Sequence, residues 1–456
     1  MAMQSRALAS GPRWWPIWLA WTVFVVYGSL VPLDFHPLPW PAAWQRLLDA
    51  PMLKLGVESR ADWIANGVLY LPVGFLSTGV FIGRNASAGR KWVSGILGMG
   101  FGWALAIGVE LAQTAFPPRT VSLNDLLAEA IGTALGMVAA IGGAARFQAL
   151  LAGYGRGGWT LLARLAPWYA FAFPAMALFP FDLLVSQQEW QAKLYGPQLG
   201  LWMAGSSLGL STFKLLVKLA VETAVVMPLG AIWWNWHQKS MPVGGGHPLR
   251  LTKALLVGAG LGLLIEVAQL ALASGQSQGA SVLTRSIGFA AGAAAWQSHA
   301  AVGTEVLRAW LRRVTLPALG LNLLLLVLFN NVGRGPWLST AEIEYRLRSE
   351  VHYLPFYYHY FTTEMHAVTS LVAVMLSYAP LGVLGWAWHV QKGMVATMAL
   401  LMSGLMELSK LLALPLHPDP TNVLIAGAAA WVAQSLTQRL FLSAPIPHHG
   451  DHRLWP

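Results

Sequence analysis

Long runs of uncharged residues limit most strongly how this chain can fold. Twelve such runs can be counted, and each is close to the roughly 20 residues needed to cross a bilayer. They lie near residues 14–32, 62–83, 92–116, 122–143, 163–181, 212–235, 251–273, 280–298, 313–333, 366–388, 393–414 and 420–440. Only 11% of the residues are charged, against about 25% in soluble globular proteins. The sequence therefore predicts an all-α, polytopic integral membrane protein with about twelve transmembrane helices.

The basic residues indicate how these helices are oriented. The net charge of +10 is not gathered in one patch, so we expect no nucleic-acid partner. Lysine and arginine are instead in excess in alternate loops, as cytoplasmic loops of membrane proteins are. These segments are the N-terminus with Arg6 and Arg13, residues 84–91, 144–164, 237–253 and 299–313, and the C-terminal tail. We expect an inner-membrane protein with both termini cytoplasmic and its first run retained as a span rather than cleaved.

The twelve runs divide into three groups of four with matching internal spacing. The second run of each group contains a Pro-x-Gly sequence, at Pro72, Pro228 and Pro380. The third run of each group ends near a glutamate: Glu110, Glu266 and Glu407. Fifteen residues after these glutamates lie Asp125, Ser281 and Asn422. Because self-similarity at fixed spacing indicates a repeat, we predict three four-helix repeats: residues 1–150, 151–305 and 306–456, the last with an outer, aromatic-rich loop at 334–365.

Polar side chains gather toward the outer ends of the first four runs. An ionisable group within a span costs about 2.5 to 3.5 kcal/mol and is by default a functional hypothesis. The alternative is that these groups only form hydrogen bonds between helices. We predict that they form a ligand-binding pocket, whose residues are Asp62, Asn66, Glu110, Gln113, Arg119 and Asp125. The planar guanidinium of Arg119 suits a phosphate or a carboxylate.

The later groups carry weaker versions of this pattern. Their counterparts in the second group are Lys218, Glu222, Glu266 and Gln269, although Lys218 and Glu222 could be a simple i,i+4 ion pair. In the third group, Lys410 can neutralise Glu407. The aromatic segment 352–361 is typical of a membrane interface, and the histidines of the C-terminal tail are typical of a solvated end. No motif indicates a catalytic residue, a metal site or a cofactor.

The first group resembles the VanZ-like (teicoplanin-resistance) membrane family. The matching elements are Asp62-x-x-x-Asn66 leading into Pro72-Val73-Gly74, then Glu110-x-x-Gln113, Arg119, Asp125 and Gly132-x-x-x-Gly136. Glu129 departs from the family pattern, which usually has asparagine there, and Pro118 replaces a frequent glycine. The resemblance implies a link to resistance against a lipoglycopeptide that acts at the outer membrane surface. It covers about residues 14–143, and the later groups follow only through their spacing.

Three functions remain open at this point. The first is a cell-envelope protein that binds or remodels a membrane lipid or a lipid-linked or glycosylated molecule. The second is a transporter or flippase, which internal repeats favour, although an even number of repeats is usual there. The third is an intramembrane enzyme with Glu110 as general base, for which the sequence supplies no nucleophile or metal. The sequence does not indicate an oligomeric state.

The alternation of basic loops predicts a topology that reporter fusions can test. Fusions at Ser87 and Pro456 should report from the cytoplasm, and fusions at Pro118 and Gln278 from the outside. A cytoplasmic signal at Pro118 or Gln278 would rule the topology out.

Overall fold

A computed structural model describes residues 14–82, 86–156, 158–239, 251–302, 304–332, 336–412, 414 and 416–441. Within these ranges it contains eighteen α-helices, one short 3₁₀-helix and a single pair of two-residue strands. Some residues that were used in the sequence analysis lie outside the described residues: Arg6, Arg13, Arg84 and the histidines of the C-terminal tail.

The helices, in chain order, are α1 (Trp15–Leu30), α2 (Trp40–Leu48), α3 (Val57–Phe81), α4 (Ala88–Gln113), α5 (Leu123–Arg156), α6 (Gly158–Ala177), α7 (Gln187–Leu194), α8 (Gly205–Leu208), α9 (Thr212–Lys239), α10 (Leu251–Leu270), α11 (Gly279–Val302), α12 (Thr304–Arg313), α13 (Thr315–Phe329), α14 (Thr340–Ser349), α15 (Tyr357–Tyr360), α16 (Glu364–Ala387), α17 (Lys392–Ser409) and α18 (Pro420–Leu440). The 3₁₀-helix Lys410–Leu412 follows α17. Strands β1 (Leu199–Gly200) and β2 (Ser277–Gln278) pair in parallel.

A helix lies at each of the twelve predicted spans. Seven of these helices are long and apolar enough to cross a membrane: α3, α4, α5, α9, α10, α16 and α17. The bent pair α12 and α13, which meet at 61°, could form an eighth span, and α1 is a shorter apolar helix. The all-α, polytopic membrane class is thus confirmed, whereas the count of twelve spans remains a prediction.

The chain forms two compact units. The first contains Met1–Ala152, Ala166–Gln297 and Phe356–Ala367. The second contains Gly153–Leu165, Ser298–Pro355 and Val368–Pro456. Helices of the first two predicted repeats therefore share one compact unit, together with a short aromatic segment from later in the chain. The division into three repeats, with boundaries near residues 150 and 305, remains a prediction.

The same hydrogen bond recurs after the third long helix of each group. The Glu266 carboxylate accepts the backbone N–H of Gln278 at 2.5 Å. The Glu407 carboxylate likewise accepts the backbone N–H of Asp419 at 2.7 Å. The backbone N–H of Ser122 donates to Glu110, so in all three cases the donor lies twelve residues after the acceptor. Each glutamate therefore fixes the chain just before the fourth helix.

Glycines allow α3 and α5 to touch through their backbones. A Cβ added to Gly132 or Gly136 would overlap the carbonyl oxygen of Gly67 or Leu71 on α3. The second group has the same contacts between α11 and α9, namely Gly288 with Thr223 and Gly292 with Met227. Small residues four apart are typical of closely packed helices in lipid. This packing places the polar ends of α3 and α5 beside each other.

We expect Gly136→Ala to destabilise the purified protein by about 1 to 3 kcal/mol, because the added methyl group would force α3 and α5 apart. The matched control is Gly142→Ala on the same helix, where an added Cβ meets no atom within 4 Å. Thermal unfolding in detergent measures both. Equal unfolding temperatures for the two variants would show that α3 and α5 are not in backbone contact.

Candidate functional site

Asp125 is held by hydrogen bonds from two sides. Asn66 on α3 donates its side-chain N–H to Asp125 Oδ1 at 2.9 Å. The Ser122 hydroxyl donates to Asp125 Oδ2 at 2.6 Å, and the Asp125 backbone N–H is 3.1 Å from Ser122 Oγ. Ser122 thus acts as an N-cap, and a carboxylate in the first turn of α5 is favoured by the positive end of the helix dipole. The arrangement fixes Asp125 against α3.

Glu110 and Gln113 lie deeper in the protein, at the end of α4. Glu110 is buried, with 2% of its surface exposed. Gln113 donates its side-chain N–H to the Ser29 carbonyl oxygen at 2.9 Å. The second group repeats this bond between Gln269 and the Ala177 carbonyl oxygen, also at 2.9 Å. Both glutamines therefore fasten their helix to the end of the first helix of the same group.

Arg119 fastens the loop after α4 to the end of α1. Its Nε donates to the Val31 carbonyl oxygen and its Nη2 to the Gly28 carbonyl oxygen, each at 2.7 Å. The Tyr360 ring lies over the guanidinium, 4.1 Å from carbon to ring centroid, which is a cation–π distance. Burial lowers the pKa of the Arg119 guanidinium, an effect that Tyr360 and Asp62 oppose. An arginine remains a cation under such shifts.

Asp62 and Arg119 line a cavity of about 1030 Å³ within the first compact unit. Its wall also includes residues of the aromatic segment Phe356–Phe361. The ring of Phe356 contacts Phe24 on α1, with ring centroids 5.9 Å apart. The Asp62 side chain is exposed to this cavity and has no hydrogen-bond partner among the described residues.

Two of the six predicted pocket residues line this cavity, and four do not. Asp62 and Arg119 are in its wall. The other four lie outside the wall: Asn66, Glu110, Gln113 and Asp125. The structure thus brings the six residues into one region of the first compact unit. Their role in ligand binding stays a prediction.

The second group uses its polar residues within the protein. Glu222 accepts hydrogen bonds from the hydroxyls of Ser281 and Thr284, each at 3.0 Å. Lys218 donates to Ser207 and Gln276, each at 2.8 Å, and is not within ion-pair distance of Glu222. Glu266 is ion-paired with Arg285, and both side chains are buried. Lys218, Glu222 and Glu266 therefore all have partners within the protein, whereas Gln269 Oε1 has none among the described residues.

In the third group, a lysine three residues later in the chain neutralises the charge of the repeated glutamate. Lys410 lies 2.7 Å from a Glu407 carboxylate oxygen, as their spacing predicts. The Asn422 side-chain N–H donates to the same carboxylate at 2.9 Å. A cation therefore faces the repeated glutamate in the second and third groups, whereas no described lysine or arginine is within ion-pair distance of Glu110.

Three residues that were not among the predicted site residues also bear on this region: Glu129, Arg285 and Tyr360. Glu129 and Arg285 occupy the same position, four residues after Asp125 and Ser281 respectively. Comparing the repeats at that position would have revealed a reversal of charge. Tyr360 was assigned to a membrane interface, because no local signal connects it to Arg119.

Comparison with known proteins identifies the first part of the chain. No curated protein and no solved structure matches the chain. Residues 11–146 match the family model described as VanZ/LLP1. This segment contains α1 to α4, most of α5 and all six predicted pocket residues. The resemblance of the first group is thereby confirmed, and the first part of this membrane protein is VanZ-like.

Proposed function

We propose that this protein binds a glycosylated lipid phosphate of the cell envelope, with the polar head in the cavity beside Asp62 and Arg119. The observation that carries the proposal is that Asp62, whose carboxylate has no hydrogen-bond partner among the described residues, and Arg119 face one cavity of about 1030 Å³ with aromatic rings in its wall. A volume of that order fits a ligand head group rather than a single ion. The VanZ-like sequence of the same segment supports a role at the cell envelope and a link to glycopeptide resistance.

The charges of the cavity support a head group rich in hydroxyls. Its wall has three acidic residues, Asp62, Asp182 and Glu364, and one arginine. Asp182 accepts hydrogen bonds from the backbone N–H and hydroxyl of Ser274, at 2.8 and 3.0 Å. Asp62 and Glu364 have no such partner among the described residues, so their oxygens can accept hydrogen bonds from a ligand. Sugar hydroxyls are suitable donors, whereas a head group with phosphate alone would meet excess negative charge.

Arg119 and the aromatic segment account for the remaining parts of such a ligand. Two carbonyl oxygens hold the guanidinium in place, which leaves other N–H groups of Arg119 without a partner among the described residues. Those groups suit a phosphate oxygen. The aromatic rings of Tyr360 and Phe361 offer apolar faces against which a sugar ring can pack. A sugar attached to a lipid phosphate would use both features.

Transport is the second candidate, and one observation favours it. Helices of the first two groups share a compact unit, and paired repeats around a binding site are typical of transporters. Arg60 of the first group is ion-paired with Glu189 of the second at 2.9 Å, which links the two groups. Movement of a fluorescent polyprenyl phosphate sugar between the leaflets of protein-containing vesicles would favour transport over binding alone.

The proposal predicts a preference for a sugar-bearing lipid. The probes are a polyprenyl phosphate sugar and the same polyprenyl phosphate without sugar, each titrated into the purified protein. Asp62→Asn should weaken binding of the sugar-bearing probe about tenfold, because it weakens a charge-assisted hydrogen bond worth roughly 1.4 kcal/mol or more. Binding of the probe without sugar should not weaken, because the substitution removes a negative charge that opposes its phosphate.

The matched control is Asp34→Asn, which makes the same change at an exposed aspartate of the same compact unit outside the cavity wall. It should bind both probes like the unmodified protein. Equal affinity of the unmodified protein for the two probes, or equal effects of the two substitutions, would contradict the proposal.

A further inference from the structure

Glu129 takes the position at which the second group has a buried cation. Arg285 lies nineteen residues after Glu266 and donates a hydrogen bond to its carboxylate. Glu129 lies at the same separation from Glu110, on the corresponding helices α5 and α4. A glycine lets the helices approach at equivalent positions of both pairs, Gly102 beside Thr133 and Gly258 beside Phe289, and the same glutamate-to-backbone hydrogen bond recurs. The matching position brings the Glu129 carboxyl group within electrostatic range of the Glu110 carboxyl group.

Both carboxyl groups are buried and incompletely satisfied. Glu110 is 2% exposed and Glu129 is 4% exposed. One oxygen of each carboxyl group, Glu110 Oε2 and Glu129 Oε2, has no hydrogen-bond partner among the described residues. The Tyr70 hydroxyl on α3 is also buried; it interacts with the Glu129 carboxyl group and lies within electrostatic range of Glu110. Three polar groups from three helices thus face one another.

The surrounding charges do not neutralise two carboxylates. On α3 the nearby titratable groups are Tyr70 and Asp62, and on α5 Asp125 adds a further negative charge. Helix α1 carries Tyr27 as its only titratable side chain. Arg119 supplies the nearby positive charge, but its guanidinium is bonded to carbonyl oxygens of Gly28 and Val31. When two neighbouring carboxyl groups are buried without a counter-ion, ionising both of them costs a large free energy.

We propose that Glu110, Glu129 and Tyr70 form a buried proton-binding site, in which the two carboxyl groups hold one proton between them. The Ser122 backbone N–H donates to Glu110 and stabilises a carboxylate there. A protonated Glu129 can then donate to Glu110, and the Tyr70 hydroxyl can donate to Glu129. One proton supplies the missing donor for the carboxyl pair, and the Ser122 N–H favours the negative charge that remains on Glu110. This site is separate from the cavity wall and does not depend on its ligand.

Infrared spectroscopy of the purified protein at neutral pH tests the site, because a protonated carboxyl group has a carbonyl stretch distinct from that of a carboxylate. The double substitution Glu110→Gln with Glu129→Gln should remove the intensity of one protonated carboxyl group. Glu266→Gln is the matched control and should remove none, because Glu266 is ion-paired with Arg285. Removal of none, or of two, by the double substitution would overturn the proposal.

Glu129→Arg provides a second variant should the double substitution not fold. It introduces the ion pair of the second group and should also remove the intensity of one protonated carboxyl group, since Glu110 would then be a carboxylate. An unchanged spectrum in this variant would equally overturn the proposal.

Discussion

The structure depends on a hydrogen bond in which a glutamate carboxylate accepts the backbone N–H of the residue twelve positions later. Glu266 accepts from Gln278 in this way, and Glu407 accepts from Asp419. The bond closes the loop between the third and fourth helices of a group and fixes the depth at which the fourth helix begins. A backbone N–H left without a partner in a buried loop is costly, so the carboxylate satisfies a need of the fold. In return, each group must accommodate a buried negative charge.

The three groups accommodate that charge differently. Arg285 pairs with Glu266, and Lys410 pairs with Glu407. In both groups a cation neutralises the repeated glutamate within the protein. In the first group Glu129 replaces the arginine, and the nearby Asp62 lines a cavity. Carboxylate oxygens of Asp62, Glu110 and Glu129 have no hydrogen-bond partner among the described residues. These acidic groups of the VanZ-like segment support a proposal in which the first group binds while the others serve as scaffold.

The sequence predicted the helices well because their signals are local. Apolar runs of the right length predicted every long helix. The equal spacing from Pro72 to Glu110 and from Pro228 to Glu266 predicted equivalent helices in the first two groups. Asn66 and Asp125 were also predicted to lie together, and they form a hydrogen bond.

The remaining features depend on contacts that the sequence does not encode locally. The Tyr360 ring reaches Arg119 from a segment far along the chain, and no periodicity predicts such a contact. Gln113 is a residue type that can bind a polar ligand, yet its side-chain N–H donates to the Ser29 carbonyl oxygen. Whether a polar side chain serves the fold or a ligand depends on the partner it finds, and tertiary packing supplies that partner.

The most direct test of this account compares three equivalent substitutions, Glu110→Gln, Glu266→Gln and Glu407→Gln, by their free energy of unfolding in detergent. Glutamine keeps an oxygen for the backbone N–H but removes the charge. The account predicts a loss of about 3 to 5 kcal/mol for Glu266→Gln, because it leaves Arg285 buried and unpaired. Glu407→Gln should follow in the same direction, with Lys410 unpaired. Glu110→Gln should cost within about 1 kcal/mol, because no cation loses its partner. A larger loss for Glu110→Gln than for Glu266→Gln would contradict the account.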